Sequence, residues 1–392
     1  MIHALFLLLL VPSILCSAGC TDRRQRSGEQ ASAQAAPASP VSLRFDSAAL
    51  SARITAIETA IEGSRRKLNV PGASVAIVLD DRPILLSGFG VRDLRSGAPV
   101  TPKTLFSIGS CTKPFTALAT LIAAEEGRLS LDGSPKKLLP YFVLRDPAAD
   151  RAVTIRDLLS HRTGVPDDLP AGWFERYPTH EALIRAAVRS QSTAPIRTRF
   201  QYNNYMYLAV GEVLAAAYKT TFEQVLADRV LGPLHMTASN LSIAAMQAAP
   251  DFSYGFLLDS TRRRLPMDTL AYPSGIAPAG GINSNAEDMS HWLRLMLARG
   301  QFDHQRLVSE AGFQQLLTPA VKTAGGEYGL GWFIEDWHGY RLFHHPGGVL
   351  GFGTRCNLLP AQGLGWVVLT NVDDQALPKA IGEIIYDQLL AR

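Results

Sequence analysis

The sequence predicts an α+β fold: an antiparallel sheet flanked by N- and C-terminal helices, with a mostly helical domain inserted. Three observations predict it. An amphipathic helix and a strand hairpin open the body. An Ala- and Leu-rich helical pattern occupies roughly residues 110–250. Strand patterns and a closing helix then return before the C-terminus.

Each element follows in order. Leu50, Ile54, Ile57, Ile61 and Leu68 keep helical spacing over residues 46–68, and Pro71-Gly72 ends that helix. Val75–Leu79 and Ile84–Leu86 are apolar runs around Asp80-Asp81-Arg82-Pro83, which predicts a hairpin with a four-residue loop. Helices are expected at 114–126, 180–190, 204–218 and 221–230. Strands are expected at Gly329–Ile334, Arg341–His344, Thr354–Leu359 and Gly365–Thr370, the last two joined through Gly363. Ala380, Ile384, Ile385 and Leu389 give the closing helix. Residues 46–109 and 255–392 would thus form the sheet domain and 110–254 the helical one. No internal repeat is present.

The chain start has a different character. Met1–Gly19 carries no charged side chain, and its apolar run is interrupted by Pro12. It is shorter than the roughly 20 apolar residues of a membrane span, so residues 1–20 read as an export signal. Ser17-Ala18-Gly19-Cys20 resembles a bacterial lipoprotein signal with Cys20 as the lipidated residue, which would tether the protein to a membrane. Simple cleavage after Ala18 is the plainer alternative. Both imply a periplasmic or membrane-anchored location. Residues 21–45, rich in Ala, Ser, Gln, Arg and Pro, read as a disordered linker.

Composition narrows the function classes. With 38 Lys+Arg, 35 Asp+Glu and a net charge of +3, there is no clustered basic excess, so nucleic acid is not an expected partner. Of four cysteines, only Cys111 and Cys356 lie in the body. A disulfide between them and two buried free thiols are both open, the thiols being preferred. No CxxC or HExxH string exists, so neither a metal nor a cofactor is expected. Gly-x-Ser-x-Gly and Gly-x-Gly-x-x-Gly strings are also missing, which leaves an α/β-hydrolase elbow and a dinucleotide site unsupported.

Three strings fit Ser-x-x-Lys: Ser64–Lys67, Ser110–Lys113 and Ser134–Lys137. A lysine base needs a pKa well below its ordinary value of about 10.4, hence burial. The first string sits among charges at a helix end, and the second residue of the last is Pro135. Ser110–Lys113 follows Leu105–Gly109 and opens a helix whose Phe115, Leu118, Ala119 and Ile122 point into a core. Pro114 is tolerable in a first helical turn, although it disfavours helical geometry at Lys113. Read alone, Ser110 is a helix-capping serine. Tyr202-Asn203-Asn204 precedes an apolar helix, and read alone it is a core aromatic with Asn204 as a cap. His344-His345-Pro346-Gly347-Gly348 follows a strand, where glycines would let substrate lie along the strand edge or would simply form a turn.

Ser-x-x-Lys, Tyr-x-Asn and His-x-Gly in this order resemble the serine β-lactamase and penicillin-binding-protein superfamily. The narrower resemblance is to its class C-like branch, which includes D-alanyl-D-alanine carboxypeptidases, D-aminopeptidases and family VIII esterases. It spans about residues 46–390. Leu158–Gly164 and Gly280–Ser284 look like segments common in that branch. The resemblance implies a β-lactamase/transpeptidase-like fold and a serine hydrolase. Ser110 would be the nucleophile, Lys113 and Tyr202 would share the base role, and Asn204 would hold Lys113 or a substrate amide. The N–H groups of Ser110 and Gly348 would form the oxyanion hole, with His345 and Gly347 on the substrate-binding strand. Class C β-lactamases carry Lys-Thr-Gly where His345-Pro346-Gly347 stands, so a substrate carboxylate would be held less strongly. Pro195-Ile196 likewise departs from the family's Pro-Gly. An ester or D-amino-acid amide is therefore the expected substrate, with a weak β-lactamase or a non-turnover penicillin-binding or sensor protein as alternatives.

Overall fold

The computed structural model describes residues 43–169, 176–258, 264–266 and 276–391. The expected export signal, Cys20 and the linker up to residue 42 lie outside these residues. So do residues 170–175. Ser42–Arg392 form one contact unit.

Helix α1 (Ser47–Lys67) is capped by Asp46, whose Oδ1 accepts from the Ala49 N–H at 2.7 Å. Strands β1 (Gly72–Leu79) and β2 (Arg82–Gly90) form the hairpin. Its loop is two residues, Asp80 and Asp81, not the four expected. Asp80 takes the left-handed conformation at φ 56° that a tight turn needs. Pro83 enters β2 opposite Val78, where the register shifts, and a residue without an N–H is tolerated at such a break.

Two short strands, β3 (Phe106–Ser107) and β4 (Asn283–Ser284), pair beside α2 (Lys113–Glu125). Helices α3 (Ile155–Leu159), α4 (His180–Val188) and α5 (Asn204–Tyr218) fill the middle of the chain. The expected helix at 221–230 is α6 (Phe222–Leu226), continued by a π-helical turn at Ala227–Leu231. Two further helices are α7 (Ala277–Gly280) and α8 (Ala286–Leu297). Then come β5 (Val321–Lys322), β6 (Glu327–Tyr328), β7 (Phe333–Trp337), β8 (Tyr340–Val349), β9 (Phe352–Leu359) and β10 (Leu364–Thr370). Helix α9 (Ala376–Ile385) closes the chain.

The main sheet runs β2-β1-β10-β9-β8-β7-β6-β5, all antiparallel. Strands β1 and β10 are buried along their whole length, which explains their unbroken apolar sequences. One sheet face packs Ala76, Val78, Val367 and Leu369 against α8, in one apolar cluster with residues of α2 and α5. The other packs Val75, Ile77, Trp366 and Val368 against α1 and α9. Strand β8 passes straight through His344–Gly348, so those glycines lie in a strand and the turn falls later, at Leu350-Gly351.

Candidate active site

Ser110 lies in a 3₁₀ turn, Gly109–Thr112, that runs directly into α2. With three residues per turn, positions i and i+3 eclipse, so Ser110 and Lys113 project to the same side. Lys113 is helical at φ −57°, ψ −43° despite the following proline. Nonlocal bonds hold the turn. The Ile108 N–H donates to Ile282 O at 2.9 Å, the Ile282 N–H to Thr112 Oγ1 at 3.1 Å, and Thr116 Oγ1 to Pro278 O at 2.7 Å.

Lys113 is fully buried, whereas Lys67 and Lys137 of the competing strings are exposed. Lys113 Nζ donates to Ser110 Oγ at 3.2 Å, Asn204 Oδ1 at 2.7 Å and Ala279 O at 2.8 Å. It also sits 4.6 Å from the centre of the Tyr202 ring and 5.3 Å from that of Tyr207. Burial pulls its pKa down to about 7, against an upward pull from the Asp167 carboxylate. Tyr202 Oη donates to Ser110 Oγ at 2.8 Å.

The cap of α5 is Asn203, not Asn204. Asn203 Oδ1 accepts from the Met206 N–H at 3.1 Å, and its amide nitrogen binds Val165 O and Pro166 O. This leaves the Asn204 side chain to bridge Lys113 and Asp167. Its Nδ2 donates to Asp167 Oδ2 at 2.8 Å, and its backbone N–H donates to Oδ1 at 3.2 Å.

Beneath this group lies a buried aromatic layer. The His161 ring is 4.4 Å from that of Tyr202 and 5.2 Å from that of Tyr328, and His161 Nδ1 accepts from the Asn203 N–H. His345 Nε2 lies 3.2 Å from Tyr328 Oη, and its Nδ1 lies 2.7 Å from Pro346 O. Both ring nitrogens of His345 are thus engaged inside the protein. Burial first, then the Lys113 charge, holds both histidines well below their ordinary pKa, so they are neutral.

Strand β8 supplies an edge beside Ser110. Residues 340–344 pair with β7, but among the described residues no strand pairs with 345–349 on that side. Gly347 comes so close to Ile108 that an added Cβ would stand 2.0 Å from Ile108 O. A Cβ on Gly109 would meet Gly348 N at 2.8 Å. The glycines are needed for this close approach. Cys111 and Cys356 are both buried free thiols, and Cys111 Sγ donates to His345 O at 3.1 Å.

The structure therefore gathers Ser110, Lys113, Tyr202 and Asn204 into one hydrogen-bonded group, with Gly347 and Gly348 on the adjacent edge. Sequence reasoning missed Asp167, Ala279 and Tyr328. The Asp167-Asp168 pair after Val165-Pro166 was the available signal for the first. A backbone carbonyl such as that of Ala279 leaves none.

Ser110, bonded to the buried Lys113, stands beside a strand of the antiparallel sheet. The chain belongs to the Beta-lactamase family, which matches residues 57–387. Protein flp of Staphylococcus aureus is 26% identical over 328 residues, 83% of this chain and 64% of that protein. An unguisins hydrolase, ungD', of Aspergillus campestris is 30% identical over 322 residues, 78% of this chain and 59% of that protein. The chain thus spans about 64% of the length of the first of these relatives. Among solved structures, the octameric penicillin-binding protein homologue from Pyrococcus abyssi superimposes with a TM-score of 0.74 at 28% identity, covering 86% of this chain and 79% of that one. A D-stereospecific amidohydrolase from Streptomyces shares the fold with a TM-score of 0.69 at 24% identity, covering 83% and 97%.

Proposed function

We propose that this protein is a serine hydrolase that cleaves an ester or amide through an acyl-Ser110 intermediate. The observation that carries this reading is the Ser110 hydroxyl held between a buried lysine of depressed pKa and a tyrosine hydroxyl. A neutral Lys113 amine still donates two bonds, to Asn204 Oδ1 and Ala279 O, and turns its lone pair to Ser110 Oγ. Ser110 Oγ then bonds the substrate carbonyl carbon as its proton passes to Lys113 or Tyr202. The backbone N–H groups of Ser110 and Gly348 bind the developing oxyanion. Tyr202 protonates the leaving oxygen or nitrogen as its bond to the acyl carbon breaks. Water, activated by the same pair, releases the acid and restores Ser110.

The substrate reading rests on β8. His345 is buried and neutral, so it offers no fixed charge to a substrate carboxylate. This supports an ester or D-amino-acid amide over a β-lactam. The A. campestris relative is itself a hydrolase. The likeness to a penicillin-binding protein homologue favours acylation without turnover as the second reading. We also propose export and tethering through Cys20, supported by the apolar run before it.

The test is intact mass after a fluorophosphonate probe, beside Ser110→Ala. One adduct on the protein and none on the variant is expected. A chromogenic ester, a D-alanyl anilide and a chromogenic cephalosporin then separate the readings. An adduct that persists in Ser110→Ala, or none on either protein, overturns the proposal. An adduct with no turnover of any substrate supports the second reading.

A further inference from the structure

We propose that the reverse face of the sheet carries a second site, a cavity between β9, β10 and α9 that takes a small carboxylate with an apolar body. The side chains alternate along β9. Cys356 packs in the core on the Ser110 side, while Arg355 and Asn357 point the other way, with Trp366. They line a cavity of about 220 Å³ together with Trp337, Lys379 and Glu383. This is smaller than the roughly 300–1,000 Å³ of drug-sized pockets, which sets the ligand size.

The free donors on this wall are the terminal nitrogens of Arg355, whose Nε alone is hydrogen-bonded among the described residues. Behind it, Asn357 Nδ2 and Trp366 Nε1 have no hydrogen-bond partner among the described residues, although neither atom opens onto the cavity. A buried donor left unmade is expensive and calls for an explanation. Arg355 Nε donates to Asn357 Oδ1 at 3.1 Å, which fixes the amide with its nitrogen end free. The Arg355 guanidinium forms no ion pair among the described residues, and Lys379 adds a second cation at the cavity. Two acids stand nearby, and the Glu335 charge acts through space on both Arg355 and Lys379. Glu383 accepts from Trp337 Nε1 at 3.1 Å and lies 2.8 Å from His338 Nε2, and Glu335 lies 3.0 Å from His344 Nε2.

A planar carboxylate fits the fork of an arginine and accepts from several donors at once. The indole of Trp337, half-buried at the cavity, suits an apolar body. Gly382 of α9 keeps the space open. A Cβ there would stand 3.8 Å from Trp337 Cζ2 and 3.9 Å from Trp366 Cζ2. The site is independent of the chemistry at Ser110.

The probe is benzoate, with benzamide as its neutral match, followed by tryptophan fluorescence and calorimetry on the full chain. Saturable one-to-one binding of benzoate, with benzamide much weaker, is expected. Arg355→Gln should weaken binding about tenfold or more, the loss of one charge-assisted contact. Lys379→Gln removes the second cation at an exposed position, so it weakens binding in a protein whose melting temperature and circular dichroism report folding. It therefore decides the matter if Arg355→Gln does not fold. Equal affinity for benzamide, unchanged affinity in either folded variant, or no saturable binding overturns the proposal. Binding at the Ser110 cleft instead would show as insensitivity to both variants.

Discussion

Asn204 Oδ1 lies 2.7 Å from Lys113 Nζ, and the other end of the same amide is bound to the Asp167 carboxylate at 2.8 Å. Asp167 thus acts on Lys113 through space, opposing the downward pull of burial. Lys113 must be neutral to accept a proton, so kcat/KM should rise with pH through about 7. Asp167→Asn removes a negative charge that favours the ammonium form. The Lys113 pKa then falls, and the acidic limb moves to lower pH. A pH profile of ester hydrolysis measures this, and a limb that stays in place or moves up contradicts the coupling.

Gly109 tests the close approach of the serine turn to β8. Its φ is +51°, and an added Cβ would lie 2.8 Å from Gly348 N and 2.9 Å from Gly348 O. Gly109→Ala must push the strand and turn apart. A displacement of this kind costs on the order of 10²-fold in rate, so kcat/KM should drop by about that factor while the protein stays folded. Wild-type activity in Gly109→Ala would show that this contact does not position the site.

Asp157 supports the segment leading to Tyr202. Fully buried, it accepts from Arg162 Nε at 2.6 Å and from Arg197 Nη2 at 2.8 Å. Burial alone would raise its carboxyl, but bonds from Arg197, Thr154 and Arg162 hold it below the ordinary value. A depressed folded pKa stabilises above the unfolded value of about 3.9, and that stability is lost as pH falls through the folded value. Asp157→Ala should cost about 3 kcal/mol at pH 7, the low end for a broken buried pair because Arg197 stays 44% exposed. Urea melts at pH 7 and below pH 4 read both effects. A variant whose stability falls as steeply with acid as the wild type's would assign that dependence elsewhere.

Gly382 is a buried helical glycine with room for a methyl group. Gly382→Ala should stabilise the fold by about 1 kcal/mol, since glycine inside a helix is worse than alanine by that amount. Denaturant midpoints give the answer. A destabilised variant would mean that the methyl group strains the Trp337–Trp366 wall.

Much of the fold was legible because local pattern and tertiary environment agree. Apolar spacing located α2 and α5, and unbroken apolar runs located β1 and β10. The misreadings fall where local rules leave a choice. Both Asn203 and Asn204 can cap a helix, and only the carbonyls of Val165 and Pro166 favour Asn203. Asp80-Asp81-Arg82-Pro83 reads as a loop until β2 is seen to take Arg82 and Pro83 into its ladder. His344–Gly348 reads as a turn or a strand equally well, and pairing with β9 makes it a strand.

The sequence by itself determined which Ser-x-x-Lys string meets a core, because the apolar period after Ser110 admits no other packing. It also determined the order of the tyrosine and histidine-glycine segments that follow. Only the tertiary structure decided the chemistry of that lysine. Its partners Asn204 and Ala279 are 91 and 166 residues away in the chain, and its pKa falls because the folded protein removes it from water. Desolvation is a property of everything packed around a group, and no local spacing encodes it.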